Sequence, residues 1–263
     1  MCRLLGFVAR DPLGVSGAIG EQQFDEYVSL SRLHRDGWGF AASSSEDVIG
    51  VYRSPVRALD DPRVENIRRD RSTSGLVHLR WASLGLPVRE ENSHPFVADY
   101  HGPLAFAHNG SVAQHAAIEP LLDEEQRAIR RGDTDSELYF LLFLQSLNRR
   151  ENVADALRET IETIRVFAPV ASLNAMVLSG EELHVVHSHS GMNVPTADLI
   201  ESCGSLAEAP PAHADHYFDL SWSESDGVVS AAHTGLSGDW ETLPPDSLLS
   251  VRRSDLTTSV TAL

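Results

Sequence analysis

Runs of alternating and helically spaced apolar residues divide this chain into short strands and a few helices. Residues 1–9, MCRLLGFVA, form an apolar run closed by Asp11-Pro12 and predict an N-terminal strand. Helical spacing covers 24–33. Residues 37–42 and 48–52 read as a strand pair across SSSED. A helix is expected over 61–69, with Asp61 as its cap and Pro62 in its first turn. Residues 76–81 and 104–107 are short apolar strands that run straight into polar residues. The strongest helix signal lies at 135–147, where Asp133 or Asp135 can cap and acidic residues fill the first turn. A second amphipathic helix is expected at 152–166. Strands follow at 175–178, 183–187, 217–222 and 228–232, and 191–211 reads as a loop region. This order predicts an α+β layout, with helices packed on antiparallel sheets.

The length of 263 residues suits one large domain or two small ones. No stretch reaches the roughly 18 consecutive apolar residues of a membrane span. All 21 basic residues are arginine, which removes any mechanism built on a catalytic lysine. The formal net charge of −17 argues against nucleic-acid and anionic-membrane partners. Only Arg158, Arg165, Arg252 and Arg253 lie beyond residue 150. That bias fits arginines gathered near a site for carboxylates, with a solvated acidic C-terminal half. Cys2 and Cys203 make no disulfide framework, and the first residues lack a signal-peptide pattern, so a reducing cytoplasm is expected. Cys203 reads as a buried free thiol.

The candidate chemistry starts at Cys2. A small second residue favours removal of Met1, which would leave the Cys2 thiol beside its own α-amine. With an unperturbed pKa of roughly 7.7–8.0, that amine can act as a base near neutrality. In AFAHNG, the Asn109 amide and the following Gly110 N–H are suitable oxyanion donors, although Asn-Gly also marks an ordinary hairpin turn. HLRWAS places Arg80 and Trp81 at a strand end. GDTDSE supplies acidic residues at a helix start, where capping is the competing explanation.

Cys2, LHRDGWGFA, HLRWAS, ENSHPF, AHNG and GDTDSE occur in the order found in class II glutamine amidotransferase domains, and the chain resembles that family over residues 2 to 145. The likeness is to stand-alone members of this group of N-terminal-nucleophile hydrolases. It implies a four-layer αββα sandwich of two antiparallel sheets between helices, occupying residues 1–263 as one domain. It also implies roles: Cys2 as nucleophile, Asn109 and Gly110 as the oxyanion hole, Arg80 on a substrate α-carboxylate, and Asp135 on its α-ammonium. Trp81, Ala82 and Ser83 would line the pocket. Where many relatives continue Arg-Trp-Ala-Thr-His, this chain has Ser83 and Leu84, which puts a strict preference for free glutamine in doubt.

The resemblance implies glutamine or a γ-glutamyl small molecule as substrate, no cofactor, and an acceptor synthase, if any, on another chain. A γ-glutamyl hydrolase of a small-molecule pathway, such as ergothioneine biosynthesis, is an alternative. A catalytically silent binding protein with the same fold is another. His94 reads as structural. The late histidines at 184, 187, 189, 213, 216 and 233 raise a third alternative, a metal hydrolase. His187 and His189 share a strand face and His184 does not, but no acid or cysteine joins them at ligand spacing, so no metal site is expected.

Overall fold

The computed structural model describes residues 2–82, 85–100, 102–112, 114–150 and 152–263. Its strands are β1 (Arg3–Leu13), β2 (Trp38–Ser43), β3 (Gly50–Ser54), β4 (Ser72–Leu79), β5 (Phe96–Asp99), β6 (Pro103–Asn109), β7 (Ala171–Ser172), β8 (Asn174–Ser179), β9 (Glu182–His187), β10 (His189–Ser190), β11 (Leu220–Ser225), β12 (Val228–His233), β13 (Glu241–Thr242), β14 (Ser247–Arg252) and β15 (Thr258–Ala262). The helices are α1 (Val15–Ile19), α2 (Glu21–Ser29), α3 (Val64–Arg69), α4 (Glu124–Ile129), α5 (Asp135–Leu147), α6 (Val153–Phe167) and α7 (Thr196–Cys203). One sheet runs β13-β11-β12-β1-β4-β2-β3 and the other β15-β14-β9-β8-β6-β5, with β7 and β10 forming a small separate pair. All the strand pairs are antiparallel.

Alternation along β1 explains the layering. Leu4 and Val8 face the second sheet, where they join Ala105, Ala107, Met176 and Val185. Leu5, Phe7 and Ala9 face the other way, against Phe24 and Tyr27 of α2 and Val64 and Ile67 of α3. The strand is thus buried on both faces, which is why it reads as a continuous apolar run. The inter-sheet layer is built partly from small residues. At Gly6 an added Cβ would sit 3.0 Å from Met176 Sδ, so the sheets approach closely there. On the outer face of the second sheet, Leu104 and Phe106 pack on α5 and α6. The order is helices, sheet, sheet, helices, the four-layer sandwich expected.

Several local expectations are corrected. β1 continues through Asp11-Pro12 to Leu13, with a register shift between Val8 and Leu13. The helix expected from 61 begins at Val64, and Asp61 instead accepts from Trp38 Nε1 at 3.1 Å and Tyr52 Oη at 2.7 Å. Neither Asp133 nor Asp135 caps α5. Thr134 does, accepting from Glu137 N at 3.1 Å, and the Glu137 carboxylate accepts in return from Arg131 N and Gly132 N. Residues 191–211 contain α7, and Cys203 is half-buried at its end. Tyr217 and Phe218 precede the strand at 220 and form an apolar cluster with Leu33 and Leu199.

Phe106 is fully buried among Tyr139, Phe140 and Phe143, with ring centroids 5.1, 5.4 and 5.9 Å away. Phe106→Ala should cost about 3–5 kcal/mol of stability in urea denaturation, through lost burial and the cavity left behind. A loss below about 1 kcal/mol would contradict this packing.

Candidate active site

The antiparallel register pairs Arg3 with Leu79, so Cys2 and Arg80 sit where β1 and β4 leave the sheet side by side. Asn109 ends β6 in the other sheet, opposite Asn174 of β8. The two sheet ends meet at Cys2, whose nitrogen donates to Asn109 Oδ1 at 2.9 Å. The Cys2 thiol faces Trp81 O at 3.8 Å, and the residue is 8% exposed.

Arg80 is buried. Its guanidinium donates to Asp36 O and Pro87 O, both at 3.3 Å, and it makes no ion pair with an acid among the described residues. Burial lowers its pKa, while Cys2 and Asp36 nearby pull it back up. Asp36, from the HRDGWG segment, also accepts from Ala82 N at 2.8 Å through Oδ2, and its own N–H donates to Arg80 O. This segment is therefore a brace for residues 80–82. Its glycines are required by geometry. Gly37 has φ +117, and a Cβ on Gly39 would lie 2.1 Å from His94 O. HRDGWG and NSHPF thus belong to one packed unit. His94 lies 3% exposed between the rings of His78 and Phe96, at 4.3 and 4.5 Å.

Gly110 follows Asn109 with its backbone pressed against β7. A Cβ there would lie 2.0 Å from Ser172 O. Asp135 does not point freely into space. Its Oδ2 accepts from Val112 N at 2.7 Å, which ties the start of α5 to the segment just after the Asn-Gly turn, and Oδ1 accepts from Ser136 N. Each oxygen keeps further acceptor capacity. The structure therefore brings Cys2, Asn109, Arg80, Trp81 and Ala82 to one locus, and links Asp135 to it through Val112. Ser83 and Leu84 lie outside the described residues.

Two neighbours escaped sequence reasoning. Arg3 is fully buried in β1, donates to Cys2 O at 3.0 Å and His213 Nε2 at 3.2 Å, and lies 4.0 Å over the Tyr217 ring. Burial lowers its pKa, opposed by Tyr217 and Cys2. Its signal was present: a charge inside an otherwise apolar buried strand. The second is His233 at the end of β12. Its Nδ1 faces Leu4 N at 3.2 Å, and its Nε2 faces the amide nitrogens of Asn109 at 2.9 Å and Asn174 at 3.4 Å. Nothing in the sequence separated it from the other late histidines.

A family model for class-II glutamine amidotransferases matches residues 1–262. The chain belongs to that family. It is 28% identical to the probable glutamine amidotransferase DUG3 of Saccharomyces cerevisiae, over 97% of this chain and 83% of that protein. It is 26% identical to the glutamine--fructose-6-phosphate aminotransferase of Thermococcus kodakarensis, but spans 67% of this chain and only 29% of that protein. The fold matches a glutamine aminotransferase class-II domain protein from Silicibacter pomeroyi, with a TM-score of 0.65, 19% identity and 99% of both chains covered. A predicted glutamine amidotransferase from Pseudomonas aeruginosa matches with a TM-score of 0.56, 18% identity and full coverage of both chains.

The histidines around the site are held neutral. Burial, with the Arg80 charge nearby, brings His78 down to about 3, and burial with Arg3 does the same to His213. Unfolded, each ring takes a proton near 6.5; folded, not until about 3. In that window the unfolded state binds more protons, so stability is full above about pH 6.5 and falls toward acid, by about one proton's slope per ring. Urea denaturation at about pH 7, 6 and 5 should show this decline; a flat profile would contradict it.

Proposed function

We propose that this protein hydrolyses the γ-carboxamide of glutamine or of a γ-glutamyl amide through a Cys2 thioester. The observation that carries the reading is the 2.9 Å contact between the Cys2 nitrogen and the Asn109 amide, which joins nucleophile and oxyanion donor in one buried locus. Removal of Met1 turns that nitrogen into a free α-amine. The amine takes the thiol proton and the sulfur attacks the γ-carbonyl carbon. Asn109 Nδ2 and Gly110 N–H receive the oxyanion, donors worth about 2.7–4 kcal/mol each in acyl transfer. The ammonium formed at Cys2 passes its proton to the leaving nitrogen, the C–N bond breaks, and ammonia or an amine departs. Water then adds to the thioester, the C–S bond breaks, glutamate leaves, and the sulfur regains a proton.

Arg80 suits the α-carboxylate of the glutamyl group because it is a buried cation whose hydrogen bonds, among the described residues, go to main-chain oxygens. Asp135 suits the α-ammonium, and Trp81, Ala82 and Ser83 the pocket wall.

Relatives such as the Thermococcus aminotransferase carry a longer chain than this match covers. Ammonia made here would pass to an acceptor enzyme on a separate chain, or the substrate would be a larger γ-glutamyl amide. A panel of γ-glutamyl amides including glutamine, assayed for released glutamate, separates the two. Cys2→Ala should abolish release from every member of the panel; retained activity would end the proposal. Arg80→Lys should raise KM about 10-fold or more with a smaller effect on kcat, since a forked contact to a carboxylate is lost. An unchanged KM would remove the role given to Arg80.

A further inference from the structure

The late histidines, set aside as metal ligands in the sequence, do acquire an acid in the fold. His187 ends β9, His189 begins β10, and Asp219 lies just before β11. One ligand atom from each lies within 4.8 Å of the others. The His187 and His189 ring centroids are 5.0 Å apart, and Asp219 Oδ1 is 3.5 Å from His189 Nε2. His184 is turned away and bonds Ser250 Oγ instead.

The state of His187 is fixed by its surroundings. Its Nδ1 faces two carbonyl oxygens, Leu243 O at 2.9 Å and Pro244 O at 3.1 Å. Carbonyls only accept, so Nδ1 carries the hydrogen and Nε2 carries the lone pair. The ring is 1% exposed, and Nε2 is buried with no hydrogen-bond partner among the described residues. A buried imidazole with one nitrogen anchored on a main-chain carbonyl and the other bare is the arrangement of an oriented metal ligand. The carboxylate is oriented in the same way. His216 Nδ1 holds Asp219 Oδ2 at 2.9 Å, which leaves Oδ1 toward the two other rings.

We propose that His187 Nε2, His189 and Asp219 Oδ1 bind a divalent transition-metal ion of the zinc type, with His216 orienting the carboxylate. Two imidazoles and one carboxylate are a donor set for such ions and not for calcium or magnesium. Bonds of about 2.0–2.2 Å place tetrahedral donors about 3.4 Å apart. Closing from 4.8 Å needs only side-chain rotation at the two half-buried ligands, His189 and Asp219. Asp219 and His216 also line a cavity of about 370 Å³ together with His233, Thr234 and Trp240. The ion would clip the layers together. His187 belongs to the six-stranded sheet, and Asp219 adjoins β11 of the seven-stranded one. The three proposed ligands are none of the residues given a part in the thioester mechanism, although His233 of the neighbouring cavity contacts Asn109.

The test uses the full chain, stripped with a chelator and dialysed against zinc alone. One equivalent should be retained, the melting temperature should rise with zinc concentration, and cobalt(II) in place of zinc should give the intense visible bands of a tetrahedral nitrogen–oxygen site. His189→Ala and Asp219→Asn, both at half-buried positions, should melt like the metal-free wild type in the absence of zinc, and lose the equivalent and the zinc-dependent shift. His216→Ala should weaken zinc about 10-fold, as loss of an outer-shell partner does. No retained equivalent, an octahedral cobalt spectrum, or equal retention in His189→Ala and Asp219→Asn would overturn the proposal. If either variant fails to fold, the wild-type stoichiometry and cobalt spectrum decide alone.

Discussion

The contact between the Cys2 nitrogen and the Asn109 side chain is the point on which the architecture of this protein turns. It is the place where the residue just before one sheet's central strand meets the last residue of a strand in the other sheet. Neither sheet alone makes the site. The seven-stranded sheet supplies the sulfur and the arginines, and the six-stranded sheet supplies the amide and the glycine turn. Their relative position is set by an inter-sheet core of small and branched residues, among them Gly6, Ala105 and Ala107, which admits close approach. Close packing transmits shifts of a few tenths of an ångström rather than absorbing them, so the site inherits the precision of the core.

Electrostatics adds the second constraint. Arg3 and Arg80 are buried cations on either side of Cys2, and each is held by main-chain oxygens, a neutral imidazole or an aromatic face. Burying a charge without an opposite charge is costly, and burial accordingly pulls both guanidinium groups toward neutrality. The surrounding histidines, kept neutral by burial, add no competing positive charge. On the far surface the arginines behave differently. Arg68 is shared by Glu21, Asp25 and Glu65 and pins α3 to α2, an ordinary exposed network.

What could be read in the sequence followed from periodicity. The run at 135–147 was legible as a helix because its apolar content is dense and its start is polar, and β1, β4 and β6 were legible because buried strands are short and apolar. The ends of elements were less so. Asp11-Pro12 did not stop β1, because a shift in register accommodates the proline. Thr134, and not a neighbouring aspartate, caps α5, because Glu137 closes the loop from the other side. The strands at 247–252 and 258–262 went unseen because they alternate weakly and rest on pairing, the first with β9 and the second with the first. Among candidate residues, those named from the ordered motifs, Cys2, Arg80, Trp81, Ala82 and Asn109, are ones the fold brings together. Arg3, His233 and Asp219 were not singled out, since their significance comes from contacts with residues more than a hundred positions or about thirty positions away.

The most direct test of the central claim is peptide mapping after treatment with a glutamine-like diazoketone. The account predicts one adduct, on the sulfur of a peptide that begins at Cys2 with a free α-amine, and its loss in the presence of excess glutamine or the preferred γ-glutamyl amide. An adduct on Cys203, or on a Cys2 peptide that still carries Met1, would contradict it.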